Sequence, residues 1–258
     1  MCYDIKASLE SQLNRARRKG DEQAVREIIE KLAPLSDLPL YHVTGFQHPK
    51  LFIYPDRSPD LPELAIWGLV PHWVKDREQL KKYWNNTLNA RGETIFEKPS
   101  FRNSARHHRC LVYVDGFYEH HHYKGKTYPF YVFQKDNQPL SLAGLWSEWV
   151  DESTGEIINS FSIVTTAANR LMGKIHNNPK LKSPRMPLIL PQVIEEDWLK
   201  PIEEEPDEKA IRDLITAYPD DELKAFSVNR LRGTSYVGNI KEVCEEVAYP
   251  ELQVSPVD

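Results

Sequence analysis

The residue with the most distinctive potential chemistry is the cysteine at position 2, directly after the initiator methionine. Removal of Met1 would leave Cys2 with a thiol and an α-amine on the same residue. Such a 1,2-aminothiol condenses with an aldehyde, because the amine forms an imine and the thiolate then adds to the same carbon, closing a thiazolidine ring. The ordinary pKa values of these groups are about 8 and about 8.5, so both nucleophilic forms are present at neutral pH. A cysteine at position 2 also arises by chance, so its position alone does not predict a function.

Other polar residues lie beside apolar segments, where active-site groups are often found. The motif at 89–94 places an amide, a guanidinium and a carboxylate close together, which suits either a polar site or a surface turn closed by an Arg91–Glu93 pair. Glu119 ends the motif D-G-F-Y-E after the apolar run LVYV, and the glycine predicts a turn with this carboxylate at the end of a strand. His176 precedes a long polar loop, although a lone histidine serves in packing more often than in catalysis.

The histidines at 107, 108 and 120–122 do not predict a metal site. Consecutive residues on a strand point to opposite faces, and no cysteine or aspartate stands at a ligand spacing. The three cysteines, Cys2, Cys110 and Cys244, include no C-x-x-C pair, which indicates a reducing compartment without disulfides. We therefore expect no metal and no cofactor.

Composition predicts a cytoplasmic protein without a membrane anchor. No apolar run approaches the roughly 18 residues of a membrane span, and the polar start is unlike a signal peptide. The net charge of −5 disfavours a nucleic-acid partner, but it is unevenly distributed. There are six basic and two acidic side chains between Lys98 and Lys126, against three basic and twelve acidic ones between Glu195 and Glu222. The basic central region could contact phosphates, although both segments also suit ordinary solvated faces.

Periodicity predicts an α+β fold. Residues 6–33 are predicted to form a broken helix or a helical hairpin, because apolar residues recur on one face and Gly20-Asp21 offers a break followed by an N-cap. From residue 38 onward, short apolar runs separated by Pro, Asp and Gly predict strands and turns. Strands are expected at 110–114, 129–134, 140–149, 161–165 and 186–190, and helices at 167–174, 195–199 and 207–217.

These elements predict a curved, mixed and mostly antiparallel sheet or an open β-barrel with peripheral helices. The length suits one large core. One domain is expected over residues 1–246, with an N-terminal helical insertion at about residues 5–35. An irregular C-terminal tail is expected at residues 247–258.

The order of the short motifs resembles that of a known family. From the N-terminus the motifs are M-C, W-G-L-V-P-x-W, N-A-R-x-E-T, F-R, R-C-L-V, D-G-F-Y-E, T-T-A-A-N, and I-H followed by R-M-P-L-I-L. This order resembles the SOS-response-associated peptidase (SRAP) family, also called abasic-site processing proteins, from Cys2 to about Pro191 with a gap at the helical insertion. The resemblance implies a DNA-damage-response enzyme that binds single-stranded DNA at an abasic site and crosslinks to it, with autopeptidase and lyase-like chemistry. We expect a monomer that associates with the nucleoid when bound to DNA.

The resemblance implies four catalytic residues. Cys2 would be the nucleophile, exposed when Met1 is removed by the protein itself or by an aminopeptidase. Asn89 would hold the N-terminal residue and the opened sugar, Glu119 would be the acid/base, and His176 would assist ring opening near the 3′ phosphate. These residue types also suit the chemistry directly, because ring opening and dehydration of the carbinolamine need proton transfer by a positioned group.

Several residues are candidates for DNA contacts. Arg91 and Arg102 are expected to bind phosphate oxygens, with Arg185 as a further candidate, because a guanidinium can donate two parallel hydrogen bonds to a phosphate. Trp73 is expected to offer a stacking surface for a base. Trp67 and Phe117 suit the core better.

Three features depart from the family pattern. Tyr3-Asp4 replaces the usual glycine and arginine after the cysteine, which places an anion near the nucleophile. His120 replaces the aromatic residue that usually follows D-G-F-Y-E. An enlarged loop at residues 177–184 carries Lys180 and Lys182 and is predicted to extend the DNA groove.

Two other functions stay open on the sequence. Cys2 could be the N-terminal nucleophile of a cysteine hydrolase or peptidase, with Asn89 as oxyanion donor and Glu119 or His176 as base. Alternatively, the divergent start could mark a non-covalent module that binds single-stranded nucleic acid. A requirement for an aldehyde separates covalent capture from the hydrolase. Equal binding by wild type and Cys2→Ala, with no crosslink from either, would identify the binding module.

Overall fold

The computed structural model describes residues 2–252, whereas Met1 and residues 253–258 of the predicted tail lie outside the described part of the chain. Within it, the strands are β1 (Asp4–Ala7), β2 (Leu40–Thr44), β3 (Lys50–Pro55), β4 (Glu63–Trp67), β5 (Asn89–Arg91), β6 (Arg109–Val114), β7 (Gly116–Tyr123), β8 (Lys126–Gln134), β9 (Leu140–Val150), β10 (Ile157–Ala167), β11 (Arg185–Pro187) and β12 (Leu223–Ser227). The α-helices are α1 (Leu9–Lys19), α2 (Glu22–Glu27), α3 (Arg77–Tyr83), α4 (Arg102–His107), α5 (Arg170–Ile175), α6 (Glu195–Leu199) and α7 (Glu205–Asp213). The predicted α+β class is confirmed.

Five of the strands close into a barrel. The long strand β10 completes the ring, because it pairs in parallel with β4 on one side and antiparallel with β9 on the other. Antiparallel pairs join β4 to β3, β3 to β6 and β6 to β9. The barrel strands bring Leu51, Ile53, Val112, Leu142 and Phe161 into one buried cluster. Burial of each such side chain contributes about 1.5–3 kcal/mol, so this cluster is a main source of the barrel's stability.

The second sheet has the strand order β12-β8-β7-β1-β2 and shares the apolar core of the barrel. β1 lies inside this sheet, where Asp4 pairs antiparallel with Tyr118 of β7 and with Thr44 of β2. A strand with neighbours on both sides has both of its backbone edges hydrogen-bonded. The second sheet therefore fixes the start of the chain.

The predicted helical insertion is confirmed, but it begins later than its sequence pattern indicated. Lys6 and Ala7 belong to β1, because the chain here still pairs with β7 and β2. α1 begins after Ser8, whose side chain caps the helix, and it ends at Gly20 with a left-handed φ of 68°. The side chain of Asp21 caps α2, which confirms the predicted break.

A buried ionic network holds the helical insertion against the barrel. Arg15 donates hydrogen bonds to Glu195 Oε1 at 2.9 Å and to the Pro59 carbonyl oxygen at 2.7 Å. Tyr113 of β6 donates to the other oxygen of Glu195 at 2.7 Å. Removal of one partner of a buried ion pair costs about 3–5 kcal/mol, because the remaining charge has no compensation. The insertion is thus a fixed part of the fold.

The other predicted elements lie close to their expected positions, with two notable differences, whereas α3, α4 and β7 were not predicted. β10 begins at Ile157, before the predicted residue 161, because its first residues pair with the end of β9. The strand predicted at 186–190 is confined to β11, and Ile189 forms only a single bridge with Leu142. Trp67 and Phe117 are fully buried, as expected for core residues. In the part of the chain that the structure describes, no helix is long and apolar enough to span a bilayer.

Candidate active site

Cys2 lies immediately before β1 and is buried, with 1% of its surface exposed. Its carbonyl oxygen accepts a 2.8 Å hydrogen bond from Nδ2 of Asn89. Asn89 is the first residue of β5, which pairs in parallel with β10 through Ile163. The barrel and the second sheet therefore both hold the backbone of Cys2. Oδ1 of Asn89 is also buried and has no hydrogen-bond partner among residues 2–252.

β6 ends at Val114 and the chain bends at Asp115, but Glu119 lies in the middle of β7, so the prediction that it stands at the end of a strand is wrong. The glycine is required by packing: a Cβ at Gly116 would lie 2.5 Å from the Val132 carbonyl oxygen of β8. Because Asp4 is opposite Tyr118, continuation of the same register places Glu119 beside Tyr3. The strand pairing thus brings the carboxylate to the N-terminal residues.

The Cys2 thiol is uncharged at neutral pH. Burial raises the pKa of the Cys2 thiol well above its usual range, and the negative charge of Glu119 raises it further. A neutral thiol is a poor nucleophile, because the thiolate is the reactive form. Chemistry at the sulfur therefore needs a nearby base, and Glu119 is close enough to affect its charge.

His176 follows α5, at the start of the connection to β11. Its Nδ1 lies 2.8 Å from the Arg185 carbonyl oxygen, 3.2 Å from the Arg185 backbone nitrogen and 3.5 Å from Glu119 Oε2. Because a carbonyl oxygen only accepts and a backbone N–H only donates, Nδ1 donates to the Arg185 carbonyl oxygen in one tautomer and accepts from the Arg185 N–H in the other. Glu119 Oε2 lies near the same ring nitrogen, which places the carboxylate and the imidazole side by side.

Glu119 and His176 line a cleft of about 440 Å³, which we call the Glu119 cleft. It is lined by side chains from the chain start, from β7, from the loop after α5 and from the segment after β12, including Tyr3, Glu119, His120, His122, His176, Asn178, Arg230 and Arg232. A volume of this size accommodates a small organic group such as a sugar. The buried Cys2 thiol is within electrostatic reach of this cleft through Glu119.

Asp4, the anion that the sequence places next to the nucleophile, is buried. Its carboxylate is 3% exposed and lies 3.0 Å from Nε2 of His42 and 2.9 Å from the guanidinium of Arg232. Nδ1 of His42 lies in turn 2.8 Å from the Tyr236 hydroxyl. Burial alone would raise the pKa of Asp4, but the hydrogen bond with His42 and the charge of Arg232 outweigh it and hold that pKa below its usual value. The negative charge is therefore compensated inside the protein.

Two of the arginines predicted to bind DNA lie near the cleft but differ in their contacts. Arg91 is exposed on β5, and its charge partly offsets the rise in the pKa of Tyr3 that burial and Glu119 produce. Arg185 is buried and donates to both carboxylate oxygens of Glu93, at 3.0 and 2.7 Å. It also donates to the Thr165 carbonyl oxygen at 2.8 Å. Arg185 thus holds its own segment in place, and phosphate binding by either arginine stays a prediction.

Arg102 and Trp73 are not among the described residues that line the Glu119 cleft. Arg102 is exposed at the start of α4, and the next residues of that helix line a different cleft. Trp73 is half-buried against an apolar cluster, where its ring meets Tyr83 edge-on at 5.2 Å. DNA contact by Arg102 or Trp73 therefore stays a prediction.

A second cleft, of about 560 Å³, is lined by Arg57, Arg106, His108 and Trp146 among others, and we call it the Trp146 cleft. Arg57 lies over the Trp146 ring, 4.2 Å from its centroid, and pairs with Glu63 and Glu148. Arg106 pairs with Glu208 at 3.1 Å. Arg57 and Arg106 are therefore bound to carboxylates, whereas Arg109, which also lines this cleft, is buried and its guanidinium donates to backbone carbonyl oxygens such as that of Trp198.

The loop at 177–184 forms part of the wall of the Glu119 cleft. Oδ1 of Asn177 accepts from the His122 backbone nitrogen at 2.7 Å, and Nδ2 donates to the His122 carbonyl oxygen at 3.0 Å. The Asn177 side chain thus bonds to β7 as a neighbouring strand would. Asn178 and Leu181 line the cleft. Contact of Lys180 and Lys182 with DNA stays a prediction.

The histidines of β7 alternate between its two faces. His120 and His122 line the Glu119 cleft, whereas His121 meets Phe130 edge-on at 6.1 Å and contacts the Lys174 carbonyl oxygen at 3.0 Å. Across residues 2–252, no group of three or more His, Cys, Asp or Glu side chains is placed to hold a metal ion.

Sequence reasoning missed Arg230 and Arg232. The two arginines follow β12, and Arg232 binds a residue 228 positions away in the chain. No local pattern relates such distant residues. The available signal, two arginines two positions apart after a predicted acidic segment, is too weak to indicate a site.

The fold is a closed barrel joined to a second sheet. The candidate site adds a cysteine before the first strand, with an Asn, a Glu and a His nearby, and these features together define one class of protein. The chain belongs to the SOS response associated peptidase (SRAP) family, whose model matches residues 3–234. The resemblance found in the motifs is therefore confirmed.

Named relatives share part of this sequence, and solved structures share its fold. The chain is 34% identical over 194 residues to the abasic site processing protein YoqW of Bacillus subtilis, an alignment that covers 75% of this chain and 80% of YoqW. It is 32% identical over 151 residues to the abasic site processing protein HMCES of Mus musculus, covering 48% of this chain and 40% of HMCES. A crystal structure of a Bacteroides thetaiotaomicron protein, 33% identical, superposes with a TM-score of 0.79 over 96% of this chain and 100% of that one. A Bordetella bronchiseptica protein, 26% identical, gives 0.69 over 88% and 99%.

Proposed function

We propose that this protein captures abasic sites in single-stranded DNA by forming a covalent thiazolidine through Cys2. The observation that carries the proposal is the convergence of four residues from separate segments. Asn89 bonds to the buried Cys2, whose thiol pKa Glu119 influences, and Glu119 and His176 lie side by side in the wall of one cleft. YoqW and HMCES are named as abasic site processing proteins, which favours the same substrate for this chain. Capture would shield the lesion from cleavage during the response to DNA damage.

The reaction requires removal of Met1, which lies outside the described residues. While Met1 is attached, the Cys2 nitrogen is an amide and does not attack carbonyl groups. The family description as a peptidase favours hydrolysis of the Met1–Cys2 bond by the protein itself. Removal by a cellular aminopeptidase would expose the same amine. We place the working protein in the cytoplasm as a monomer, on the nucleoid when it is bound to DNA.

The chemistry joins one aldehyde to two nucleophiles of one residue. The ring-opened sugar of an abasic site carries an aldehyde at C1′, and the Cys2 amine adds to it to give a carbinolamine. Loss of water gives an imine, and the sulfur then bonds to the same carbon while the thiol proton ends on nitrogen. The product mass is therefore the sum of protein and DNA minus one water.

The neighbouring residues suit the proton transfers in these steps. Glu119 can take the proton of the neutral thiol, whose raised pKa reflects burial and the Glu119 charge. The imidazole of His176 can exchange a proton with the sugar as its ring opens. Nδ2 of Asn89 holds the Cys2 carbonyl oxygen, and its Oδ1, which has no hydrogen-bond partner within residues 2–252, can accept from the amine. Positioned proton transfer contributes roughly 10²–10⁴-fold to the rate of such steps.

The test is a crosslinking assay with a single-stranded oligonucleotide that contains one abasic site. We expect wild-type protein, but not Cys2→Ala, to give a heat-stable adduct on a denaturing gel. Its intact mass should equal that of the protein without Met1 plus that of the oligonucleotide, minus one water. Cys244→Ala is the matched control, because Cys244 is a half-buried cysteine outside the Glu119 cleft. Reduction of the abasic site to an alcohol should abolish the adduct. Absence of an adduct from protein whose mass shows that Met1 is removed would contradict the proposal.

A further inference from the structure

Arg232 stands at the rim of the Glu119 cleft, oriented by an acid beneath it. The Arg232 side chain is 58% exposed, whereas the Asp4 carboxylate that it binds is 3% exposed. One guanidinium nitrogen donates to Asp4 at 2.9 Å. A guanidinium carries five N–H donors, so a single bond of this kind orients the group while further donors reach solvent.

Arg230 is held at the same rim by different contacts. Its guanidinium donates to the Thr127 carbonyl oxygen and lies over two aromatic rings, 4.9 Å from the centroid of Tyr128 and 5.2 Å from that of Tyr249. A guanidinium that stacks on rings keeps its N–H donors at the edge of its plane, where they can bind an anion. These contacts fix Arg230 in position, and the exposed carboxylate of Glu251, whose pKa Arg230 helps to lower, offsets part of its charge.

The residue between the two arginines explains why both point outward. Leu231 is buried with 3% exposure and belongs to an apolar cluster with Tyr118, Tyr131 and Val243. Because Leu231 anchors the segment on its inner side, its two neighbours are directed to the cleft that both of them line. The segment after β12 thus presents a pair of cations.

Among the residues in and directly below the cleft, the acids lie deeper than the cations. The side chains of Asp4 and Glu119 are 3% and 9% exposed, whereas that of Arg232 is 58% exposed. Fixed guanidinium groups above buried carboxylates suit an anion with several oxygen acceptors. Phosphate is such an anion, because guanidinium–phosphate hydrogen bonds are charge-assisted and can form in parallel pairs.

We infer that Arg230 and Arg232 form a phosphate-binding subsite that holds the DNA strand beside the sugar in the Glu119 cleft. The inference rests on the proposed function for the identity of the strand, but binding of phosphate does not require the covalent step. In this arrangement Asp4 orients Arg232 and does not repel the DNA.

The experiment measures binding of an undamaged single-stranded oligonucleotide to proteins that carry Cys2→Ala, so that no covalent step contributes. Arg230→Ala and Arg232→Ala, singly and together, are compared with Arg17→Ala. Arg17 is the matched control, because its side chain is 50% exposed and pairs with the single carboxylate of Glu10. Fluorescence anisotropy over a series of salt concentrations gives both the affinity and its salt dependence.

We expect each single substitution in the subsite to weaken binding about tenfold at low salt, as loss of a charge-assisted hydrogen bond does. The double variant should lower the slope of log affinity against log salt by about 1.4, because each phosphate contact on a single strand contributes about 0.7. Arg17→Ala should leave affinity and slope unchanged. A double variant that behaves like Arg17→Ala would overturn the inference.

Two further measurements keep the outcome clear. If Arg232→Ala lowers the thermal stability because Asp4 loses a partner, Arg230→Ala alone decides the question, since its contacts do not include Asp4. Crosslinking of the Cys2 protein to an abasic oligonucleotide is followed in parallel. If the protein that retains Cys2 forms the crosslink but the double variant keeps an unaltered salt slope, the subsite alone is refuted. If the double variant has a lowered slope but the protein that retains Cys2 forms no crosslink, the subsite is supported and the covalent function is refuted.

Discussion

The Glu119 cleft and the Trp146 cleft both bring arginine, histidine and aromatic side chains together. In the Glu119 cleft, the acids are almost fully buried and Arg232 lies on the solvent side of Asp4. In the Trp146 cleft, Arg57 lies against the indole ring, and its two carboxylate partners are at the surface. Glu63 and Glu148 are 27% and 44% exposed.

The difference lies in the depth of the acids relative to the bases. A buried carboxylate below an exposed guanidinium leaves a cation for a ligand to meet. An exposed carboxylate beside the guanidinium gives a rim of mixed charge, whose ion pairs are weak and screened by salt. Clefts of similar residue type are thus suited to different ligands, and the counts of charged residues alone do not distinguish them.

The largest expected effect is on the chemistry of the Glu119 cleft. Glu119→Gln keeps the size of the side chain but removes the proton acceptor, so crosslinking to an abasic oligonucleotide should slow by about 100-fold or more. Single-turnover kinetics on a denaturing gel measures the rate. Glu63→Gln, in the Trp146 cleft, is the control and should leave the rate unchanged. A rate for Glu119→Gln within twofold of wild type would show that Glu119 is not the acid/base.

The second prediction tests the buried acid below Arg232. Asp4→Asn should lower the free energy of unfolding by about 2 kcal/mol at pH 7. Most of this loss comes from the buried hydrogen bond with His42, because an ion pair with an exposed partner such as Arg232 contributes about 1 kcal/mol or less. The pKa of Asp4 is lowered in the folded state, so its contribution is present above about pH 4 and is lost as the pH falls through the folded-state pKa.

The stability difference between wild type and Asp4→Asn should therefore be largest at pH 7 and shrink below about pH 4. Urea unfolding at a series of pH values measures it. Asp60→Asn is the control, because Asp60 is 59% exposed and pairs with Lys19 at the surface. An equal difference at pH 7 and pH 3 would contradict the assignment of a depressed pKa to Asp4.

The third prediction concerns the Trp146 cleft, in which removal of the surface acids should leave an arginine available to a ligand, as in the Glu119 cleft. Glu63→Gln together with Glu148→Gln should free Arg57 from its surface acids and create a new contact for single-stranded DNA. The slope of log affinity against log salt should then steepen by about 0.7, as expected for one added phosphate contact. The control is Glu10→Gln with Glu27→Gln, which removes the same charge from the helical insertion. Equal changes in both double variants would indicate an effect of net charge alone.

The smallest effect is expected for Arg57→Ala in the otherwise unchanged Trp146 cleft. Loss of the contact with the Trp146 ring and of two surface ion pairs should lower the free energy of unfolding by about 1 kcal/mol. DNA binding should not change, because the charge of Arg57 is already bound to Glu63 and Glu148. Denaturant unfolding and anisotropy measure the two quantities. A clear loss of DNA affinity would indicate that the DNA strand binds in the Trp146 cleft, contrary to this prediction.

Features that depend on neighbouring residues were predictable from the sequence. The break at Gly20-Asp21 was predicted correctly, because a glycine followed by a capping residue is a local signal. The position of Glu119 was predicted wrongly for the opposite reason. Gly116 indicates a turn when only its neighbours are considered, but the glycine is required by contact with a different strand.

The residues of the site were indicated mainly by their resemblance to a family. Spacing alone does not show that Asn89 reaches the carbonyl of Cys2, because this contact depends on pairing of β5 with the distant strand β10. The partnership of Asp4 and Arg232 has no counterpart in the sequence pattern, since it joins the two ends of the domain. Both contacts depend on pairing between strands that are distant in the sequence.

The bond between Asn177 and β7 has a consequence for the behaviour of the protein at high concentration. Pairing of β1 with β7 ends at Tyr118 in the described residues, so the last part of this edge of β7, around His122, has no β1 residue opposite it. Open strand edges promote aggregation, because their unpaired backbone groups can bind a second molecule. Asn177 occupies both backbone groups of His122 and blocks this edge. The loop that borders the cleft thereby also helps to keep separate molecules of the protein from joining through their sheets.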